Sequence, residues 1–541
     1  MNSSQSAAKK ERYRSLRYGR TASQALFLLL FLFLFIKTDY TGSDTIEYAV
    51  NILFRIDPLL AFCTMLAIRT FIALLLPSLI VIGLTLLSGR SFCGWICPLG
   101  SLIDLLHPVL KPRRRDNTTL FPELARVLFV FVLISSLLQF PLAGYLDPFS
   151  ILVRGMAQAL YPALHNVALS FFSFTYDQAP AQVNAITEPL YSFMKYTILP
   201  FEQRFYDFAL ISMLMLVGVF VSELAQRRFF CRNICPLGAL LGWVARLGLL
   251  DLHGGDSECG RCRHCITICR MGAIDSDRII SVEECSLCME CLEQCPRQVI
   301  SFSGSIPLSR GAGISLSRRR FLGALGAGLL IPPLLGVRRL NAQPNPALIR
   351  PPGARAEDEF LQRCVRCAEC IQVCVGNGLQ PTGLQAGLEG VFSPRLVART
   401  GYCEFNCTLC GQVCPTGAIK ELSLAEKHVA KIGHAWFDRN ICLPYAKAIP
   451  CIVCEEHCPT PEKAIKFRSA AVIDDRGATV EVQQPYIVDE LCIGCGICET
   501  RCPLPGRSAI IITSAGEDRD PENRLPARGV IEAGSSYGNP S

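Results

Sequence analysis

The chain has 541 residues, half of them apolar, with 53 Lys and Arg against 46 Asp and Glu, and 29 cysteines. A mean hydropathy of +0.32 and several long apolar runs exclude an ordinary soluble domain. The net charge of +7 gathers in a few loops instead of lining one face, which reads as a topology signal and excludes a nucleic-acid partner.

Taken in chain order, a basic tail (1–20) carries Lys9, Lys10, Arg12, Arg14, Arg17 and Arg20. A membrane domain (21–250) follows, with apolar stretches at 21–36, 70–87, 124–146 and 208–224. A bilayer core of about 30 Å takes roughly 17 to 25 helical residues, so four spans are expected. Arg90, Lys111, Arg113, Arg114 and Arg115 lie between the second and third stretches, and Arg227, Arg228 and Arg232 follow the fourth. The positive-inside rule puts all of these in the cytoplasm, on loops facing acidic lipid, and turns 37–66 and 147–207 outward.

Inside the membrane domain a short motif occurs twice. Arg90-Ser-Phe-Cys93-Gly-Trp-Ile-Cys97-Pro98-Leu99-Gly100 returns as Arg228-Phe-Phe-Cys231-Arg-Asn-Ile-Cys235-Pro236-Leu237-Gly238. Both copies belong on the cytoplasmic face. Their four thiols could meet at one metal or cluster, form two redox dithiols near a quinone, or brace helix ends; if the segments are helical, i, i+4 spacing puts each pair on one helix face. Cys63 stands apart and reads as a buried apolar residue.

Cytoplasmic residues 251–305 hold Cys259, Cys262, Cys265, Cys269 and Cys285, Cys288, Cys291, Cys295, each in the C-x2-C-x2-C-x3-C spacing of two-cluster ferredoxins. Crossed ligation would give one 4Fe-4S cluster Cys259, Cys262, Cys265 and Cys295, and the other Cys285, Cys288, Cys291 and Cys269. A twin-arginine sequence, Ser317-Arg318-Arg319-Arg320-Phe321-Leu322, then opens a fifth apolar stretch within 306–342, expected to be retained as an anchor because Leu340 spoils a cleavage site. A Pro-rich linker (343–359) leads to residues 360–513.

That last domain carries Cys364, Cys367, Cys370, Cys374; Cys403, Cys407, Cys410, Cys414; Cys442, Cys451, Cys454, Cys458; and Cys492, Cys495, Cys498, Cys502. Four clusters are expected, with either the outer and the inner sets crossing, or sequence neighbours crossing. Export would normally favour disulfides. Cysteines three apart in repeated triplets cannot all pair with good geometry, however, and the twin-arginine signal resembles the address of a route that carries proteins folded around their cofactors. Residues 514–541 read as a disordered tail.

Residues 1 to about 305 resemble the NapH-type membrane ferredoxin-type proteins of periplasmic nitrate reductase systems. Residues from about 310 to 512 resemble the NapG and MauM ferredoxin-type proteins. The expected fold is therefore an α-helical polytopic membrane domain, four spans plus an anchor helix, with two α+β ferredoxin-like domains. The resemblance implies six 4Fe-4S clusters, two cytoplasmic and four periplasmic, in a quinol dehydrogenase or electron conduit of the bacterial inner membrane. Its partners would be the quinone pool and a periplasmic cytochrome or reductase. C-x3-C-P motifs beside a two-cluster ferredoxin also resemble copper-oxidase assembly factors, so maturation of an exported metalloenzyme is the other reading. None of the histidines lies in an apolar stretch, and no C-x2-C-H, Rossmann or Walker motif occurs, so the chain reads as a conductor of electrons.

Overall fold

The computed structural model describes residues 3–40, 42–46, 48, 50–112, 120–121, 123–200, 203–253, 262–304, 318–336, 345–473, 476–520 and 523. Cys259, Ser317 and the segment 337–344, with its cleavage question, lie outside the described residues. The chain divides into two compact units, each woven from three segments. One comprises Met1–Ile36, Val50–Met156 and Leu210–Leu334; the other Lys37–Ala49, Ala157–Ala209 and Leu335–Ser541.

In the first unit the expected tail is helical from the start, because a basic half and an apolar half run on without a breaker as one helix, Ser3–Lys37. Its portion Lys10–Lys37 is long and apolar enough to cross a membrane. Pro58–Ile68, Ala73–Ser88, Leu124–Leu137, Ala209–Leu224 and Pro236–Ala245 are apolar and shorter. Asp57 and Asp147 each precede a proline and cap the helices Pro58–Ile68 and Pro148–Gly155, Asp57 Oδ1 accepting from Leu59 N at 2.7 Å and Asp147 Oδ2 from Ser150 N at 2.7 Å. The helix Pro58–Ile68 occupies what was expected to be outward loop, and fully buried Cys63 lies within it. Phe129 meets Trp243 edge to face at 5.1 Å, fastening Leu124–Leu137 to Pro236–Ala245. The twin-arginine helix, Arg318–Gly336, sets Gly328 against Ile134, with Arg320 paired to Glu123 at 3.4 Å.

The inner cysteine-rich lobe is framed by antiparallel strands Leu250–His253 and Ser301–Gly304, with short helices His264–Ile268 and Glu290–Gln294 between them. In the second unit, three two-stranded antiparallel sheets pair Leu379–Pro381 with Pro394–Leu396, His434–Phe437 with Ile510–Thr513, and Ile465–Ile473 with Thr479–Ile487. Their shared core places cysteines among Phe360, Ile371, Leu409, Val413 and Ile510. Segment 157–209 contributes a helical hairpin, Tyr161–Gln178 and Ala181–Thr197, that periodicity had not revealed.

Two boundaries differ from expectation. The Pro-rich segment is folded from Asn345 onward: Ile349 bridges Leu396, Ala354 bridges Ile419, and fully buried Arg350 reaches Glu357, Ser393 Oγ at 2.9 Å and the Pro394 carbonyl at 2.7 Å. A buried guanidinium satisfied by fixed acceptors holds the segment to the domain in place of a spacer. Residues 514–520 are folded as well, with Ser514 N donating to the Pro346 carbonyl and Asn523 Nδ2 to the Ser514 carbonyl, each at 3.0 Å.

Candidate iron-sulfur centres and the paired C-x3-C-P motifs

Three of the four C-x2-C-x2-C loops curl round their centres by the same backbone device, while Arg263 in the remaining one keeps φ −123°. The second and fourth residues after the first cysteine adopt left-handed φ: Leu287 and Met289, Arg366 and Ala368, Gly494 and Gly496. Only the last loop uses glycine; the other two carry side chains there at about 1 kcal/mol or more per residue. Such strain persists where the surroundings fix the loop, and here it turns the thiols inward.

Cys285, Cys288, Cys291 and Cys269 line one cavity, and Cys262, Cys265 and Cys295 line another, which is the crossed arrangement the spacing predicts. In the second unit Cys442, Cys451, Cys454 and Cys502 line a cavity of about 370 Å³ including its mouth. The remaining thiols group in the same sense. Cys370 has Cys367, Cys364 and Cys414 as thiol neighbours; Cys410 has Cys403, Cys407 and Cys374; Cys492 and Cys495 both face Cys458. Of the two pairings open from sequence, the structure brings together sequence neighbours, first with second and third with fourth.

Burial, and after it the neighbouring thiols, pushes the Cys454 thiol up to about 12, and burial pushes Cys442 up to about 11 and Cys285 to about 12. Bare, these groups would be neutral at pH 7; as ligands they need a concentrated positive charge. Among the described residues, no three Cys, His, Asp or Glu side chains stand close enough to hold a single ion. Zinc is ordinarily held by two separated ligand pairs, whereas three closely spaced thiols plus a fourth from the neighbouring set are the ligand pattern of a cubane. The donor sets therefore fit a 4Fe-4S cluster better than a lone metal.

The two sites of the first unit lie within one small lobe, and in the second unit the two crossed pairs of sites meet at one backbone contact. Cys403 N donates to the Cys495 carbonyl at 2.8 Å, joining the site of the second set to that of the fourth. Lys427, 1% exposed, is attracted to Cys403, Cys410 and Cys495 and supplies a cation at that junction. Sequence reading missed Lys427, since nothing in its local pattern marks it as buried.

The C-x3-C-P copies do not form continuous helices. Cys93 lies in Ser91–Trp95 and Cys97 caps the separate helix Pro98–Leu106; Cys231 lies in the wide turn Phe230–Ile234 and Cys235 caps Pro236–Ala245. Proline at the first helical position starts a new helix and cannot continue the old one. The two copies then exchange arginines about a pseudo-twofold. Arg90 Nη2 donates to the Cys231 carbonyl at 3.5 Å, while Arg228 Nη1 donates to the Cys93 carbonyl at 3.2 Å and its Nη2 to Gly100 O at 3.3 Å. Gly238, the counterpart of Gly100, touches Arg90. Cys235 has Cys231, Cys93 and Cys97 as thiol neighbours, so all four converge.

Arg20, Arg90 and Arg228, expected on lipid-facing loops, are thus buried at this site. Asp104 gathers three cations there: Arg228 at 2.8 Å, Arg270 at 2.6 Å and Arg20 at 3.4 Å. Burial opposes its charge, but Arg228 and Arg270 outweigh that and hold the carboxyl well below the usual carboxylate range. The loop bearing Cys285 and Cys288 seats directly on the first motif: Trp95 Nε1 donates to Leu287 O and Arg90 Nη1 to Glu283 O, both at 3.0 Å, and Gly94 abuts Ser286.

A family model described as a 4Fe-4S binding domain matches residues 70–115, 208–252 and 410–437, and the first two stretches contain the C-x3-C-P motifs. The ferredoxin-type protein NapG of Escherichia coli is 33% identical over 199 residues, 35% of this chain and 82% of NapG. The chain belongs to the ferredoxin-type protein family of NapG and MauM. The methylamine utilization ferredoxin-type protein MauM of Methylorubrum extorquens is 35% identical over 32% of this chain and 79% of MauM. The Pseudomonas aeruginosa regulatory protein NosR is 32% identical over 38% of this chain, which spans about a quarter (24%) of NosR. No solved structure matches the chain. Family membership and the 4Fe-4S match make this an iron-sulfur protein of ferredoxin type.

Proposed function

We propose that this is an inner-membrane electron conduit, in effect a NapH-type membrane protein fused to a NapG-type exported one, that passes electrons from quinol, or from a cytoplasmic donor, to a periplasmic cytochrome or reductase. Six 4Fe-4S clusters would serve it as one-electron carriers, held by Cys259, Cys262, Cys265 and Cys295; Cys269, Cys285, Cys288 and Cys291; Cys364, Cys367, Cys370 and Cys414; Cys374, Cys403, Cys407 and Cys410; Cys442, Cys451, Cys454 and Cys502; and Cys458, Cys492, Cys495 and Cys498. The observation that carries this reading is that two crossed pairs of thiol sets meet through the Cys403–Cys495 contact, an arrangement suited to conduction.

Several features support a polytopic membrane setting. Leu79, Ile80, Leu210 and Leu214 expose large apolar side chains on short helices that a bilayer would cover. Segments 37–49 and 157–209, outward by charge, build into the same unit as the exported domain, and the basic inner segments build into the unit that holds the first ferredoxin lobe. Arg204 illustrates the former: it pairs with Asp39 at 2.6 Å and donates to the Gln372 carbonyl at 2.6 Å, between two cysteines of the first outer set.

The chain's own residues hold each thiol set and place Lys427 as a cation between two sites. The deciding experiment mixes the purified protein with a short-chain quinol and follows cluster bleaching. Reduction by quinol is the expected result; reduction by a cytoplasmic ferredoxin alone would reject quinol as the donor. Deleting the gene should leave the periplasmic partner enzyme fully metallated, and a metal-deficient enzyme would point to maturation.

A further inference from the structure

We propose that Lys427 raises the potential of the outer cluster held by Cys374, Cys403, Cys407 and Cys410, and so makes that cluster the electron acceptor within its crossed pair. Lys427 is the one lysine buried among the described residues, 1% exposed. Among the described residues of the second unit, no ion pair includes it. A buried ammonium without a counter-ion is costly, and what faces this one is sulfur: Cys403, within hydrogen-bonding reach, Cys410 and, from the fourth set, Cys495. Cys407 faces it as well. The position is built. Lys427 lies on the helix Leu424–Val429, which Ser423 and Glu426 start with a reciprocal capping box. The next residue, His428, stacks on Phe405 at 4.2 Å and meets Asn406 Oδ1 at 2.9 Å, which fastens the helix to the loop between Cys403 and Cys407.

Charge sets the direction of the effect. Four thiolates around a 4Fe-4S cubane carry net negative charge, and one-electron reduction adds another, so a fixed cation beside the sulfurs stabilises the reduced state more than the oxidised one. The partner cluster, at Cys364, Cys367, Cys370 and Cys414, has both signs around it: Cys364 faces Arg366 and Arg350, Cys367 faces Glu369, and Arg350 is paired with Glu357. On the second cluster, Arg204 faces Cys374 but is met by Asp39 at 2.6 Å. Glu404, next to Cys403, is partly exposed, accepts from Phe405 N at 3.0 Å and is screened by water. Counted this way, the first cluster's surroundings balance and the second's keep the buried charge of Lys427. One electron leaves the first cluster, which is oxidised, and enters the second, which is reduced. The inference rests on the clusters proposed above and gives the conduit an internal order, and it needs neither quinol nor the membrane setting.

The test titrates the full chain, purified anaerobically in detergent, with a chemical reductant and follows EPR in wild type, Lys427→Gln, Lys427→Met and Lys427→Arg. Both neutral variants should keep wild-type iron and sulfide while one component moves to a more negative midpoint. The shift expected is at least tenfold in its reduction equilibrium, ~59 mV for one electron. The component of the cluster bearing Cys495 should move less, and the others stay in place. Lys427→Arg keeps the charge and should keep the wild-type midpoints. Cys367→Ser, which alters a ligand of the first cluster, identifies that cluster's component, whose wild-type midpoint should lie below that of the component Lys427 controls; the reverse order overturns the proposal. Midpoints unmoved in both neutral variants, or moved equally in Lys427→Arg, overturn it too, because a merely structural role would not follow charge. Should the neutral variants lose iron, Lys427→Arg decides: full iron with wild-type midpoints supports the charge role, and iron lost there as well overturns it. A wild type without clusters would reject the proposed function itself, whereas failure of quinol as donor leaves these titrations unaffected.

Discussion

Single charged residues here act through burial. Asp104 stabilises three guanidiniums at once, and Asp104→Asn would leave them without their shared counter-ion in a low-dielectric site. The expected cost is about 3–5 kcal/mol, read as a lowered thermal midpoint in detergent. Glu357 allows a cleaner pH test in the second unit. Burial raises its pKa, but Arg350 and Arg519 outweigh burial and hold it at about 2. A depressed folded-state pKa contributes stability that is complete above the ordinary glutamate value of about 4.3 and is lost as pH falls from there toward about 2. Melting of the wild type should therefore steepen in its pH dependence across that window, and Glu357→Gln should flatten it; equal slopes would remove the pair from the account. None of these roles was legible locally. Arg90 and Arg228 looked like topology signals because a run of basic residues beside an apolar stretch looks the same whether its side chains reach lipid headgroups or a buried carbonyl.

Secondary-structure elements matter chiefly where they meet. The six cysteine sets were legible because thiolate spacing is fixed by the cage they surround, so local sequence carries the geometry. Pairing of the outer sets was not, since both crossings satisfy the same spacing and only packing of strands such as His434–Phe437 against Ile510–Thr513 selects one. The C-x3-C-P pairs show the converse: i, i+4 spacing shares a helix face only where the segment is helical, and Pro98 and Pro236 begin new helices instead. The contact between the first of these motifs and the Cys285–Cys288 loop depends on Gly94, where an added methyl would collide with the Ser286 carbonyl. Gly94→Ala should loosen that loop. Faster proteolysis within 283–288 and a lost magnetic interaction between reduced centres are the expected readings, and wild-type behaviour in both would show that the contact is dispensable.

At the scale of the whole molecule, each compact unit is assembled from distant segments, so its stability is shared among interfaces of high sequence separation. Arg204 and Asp39 are an example 165 residues apart, both nearly inaccessible. Arg204→Ala strands a buried carboxylate, and an outlay of about 3–5 kcal/mol is expected for the single variant. Adding Asp39→Ala should recover part of that, because the pair is coupled; strict additivity would exclude a direct interaction. Alkaline phosphatase fused after the C-terminus should be active in cells and the same reporter fused near residue 306 inactive, the order that the charge distribution predicts.

The number and spacing of cysteine sets, the repeated C-x3-C-P motif and the distribution of basic residues were fixed by local sequence, since cluster ligation, helix starts and topology signals act over a few residues. Tertiary structure alone decided which outer sets cross, that Asn345 onward belongs to the folded domain, and that Arg20, Arg90 and Arg228 are interior. The physical reason is common to all three. Burial and charge compensation depend on which distant segments share a low-dielectric space, and periodicity carries no record of that.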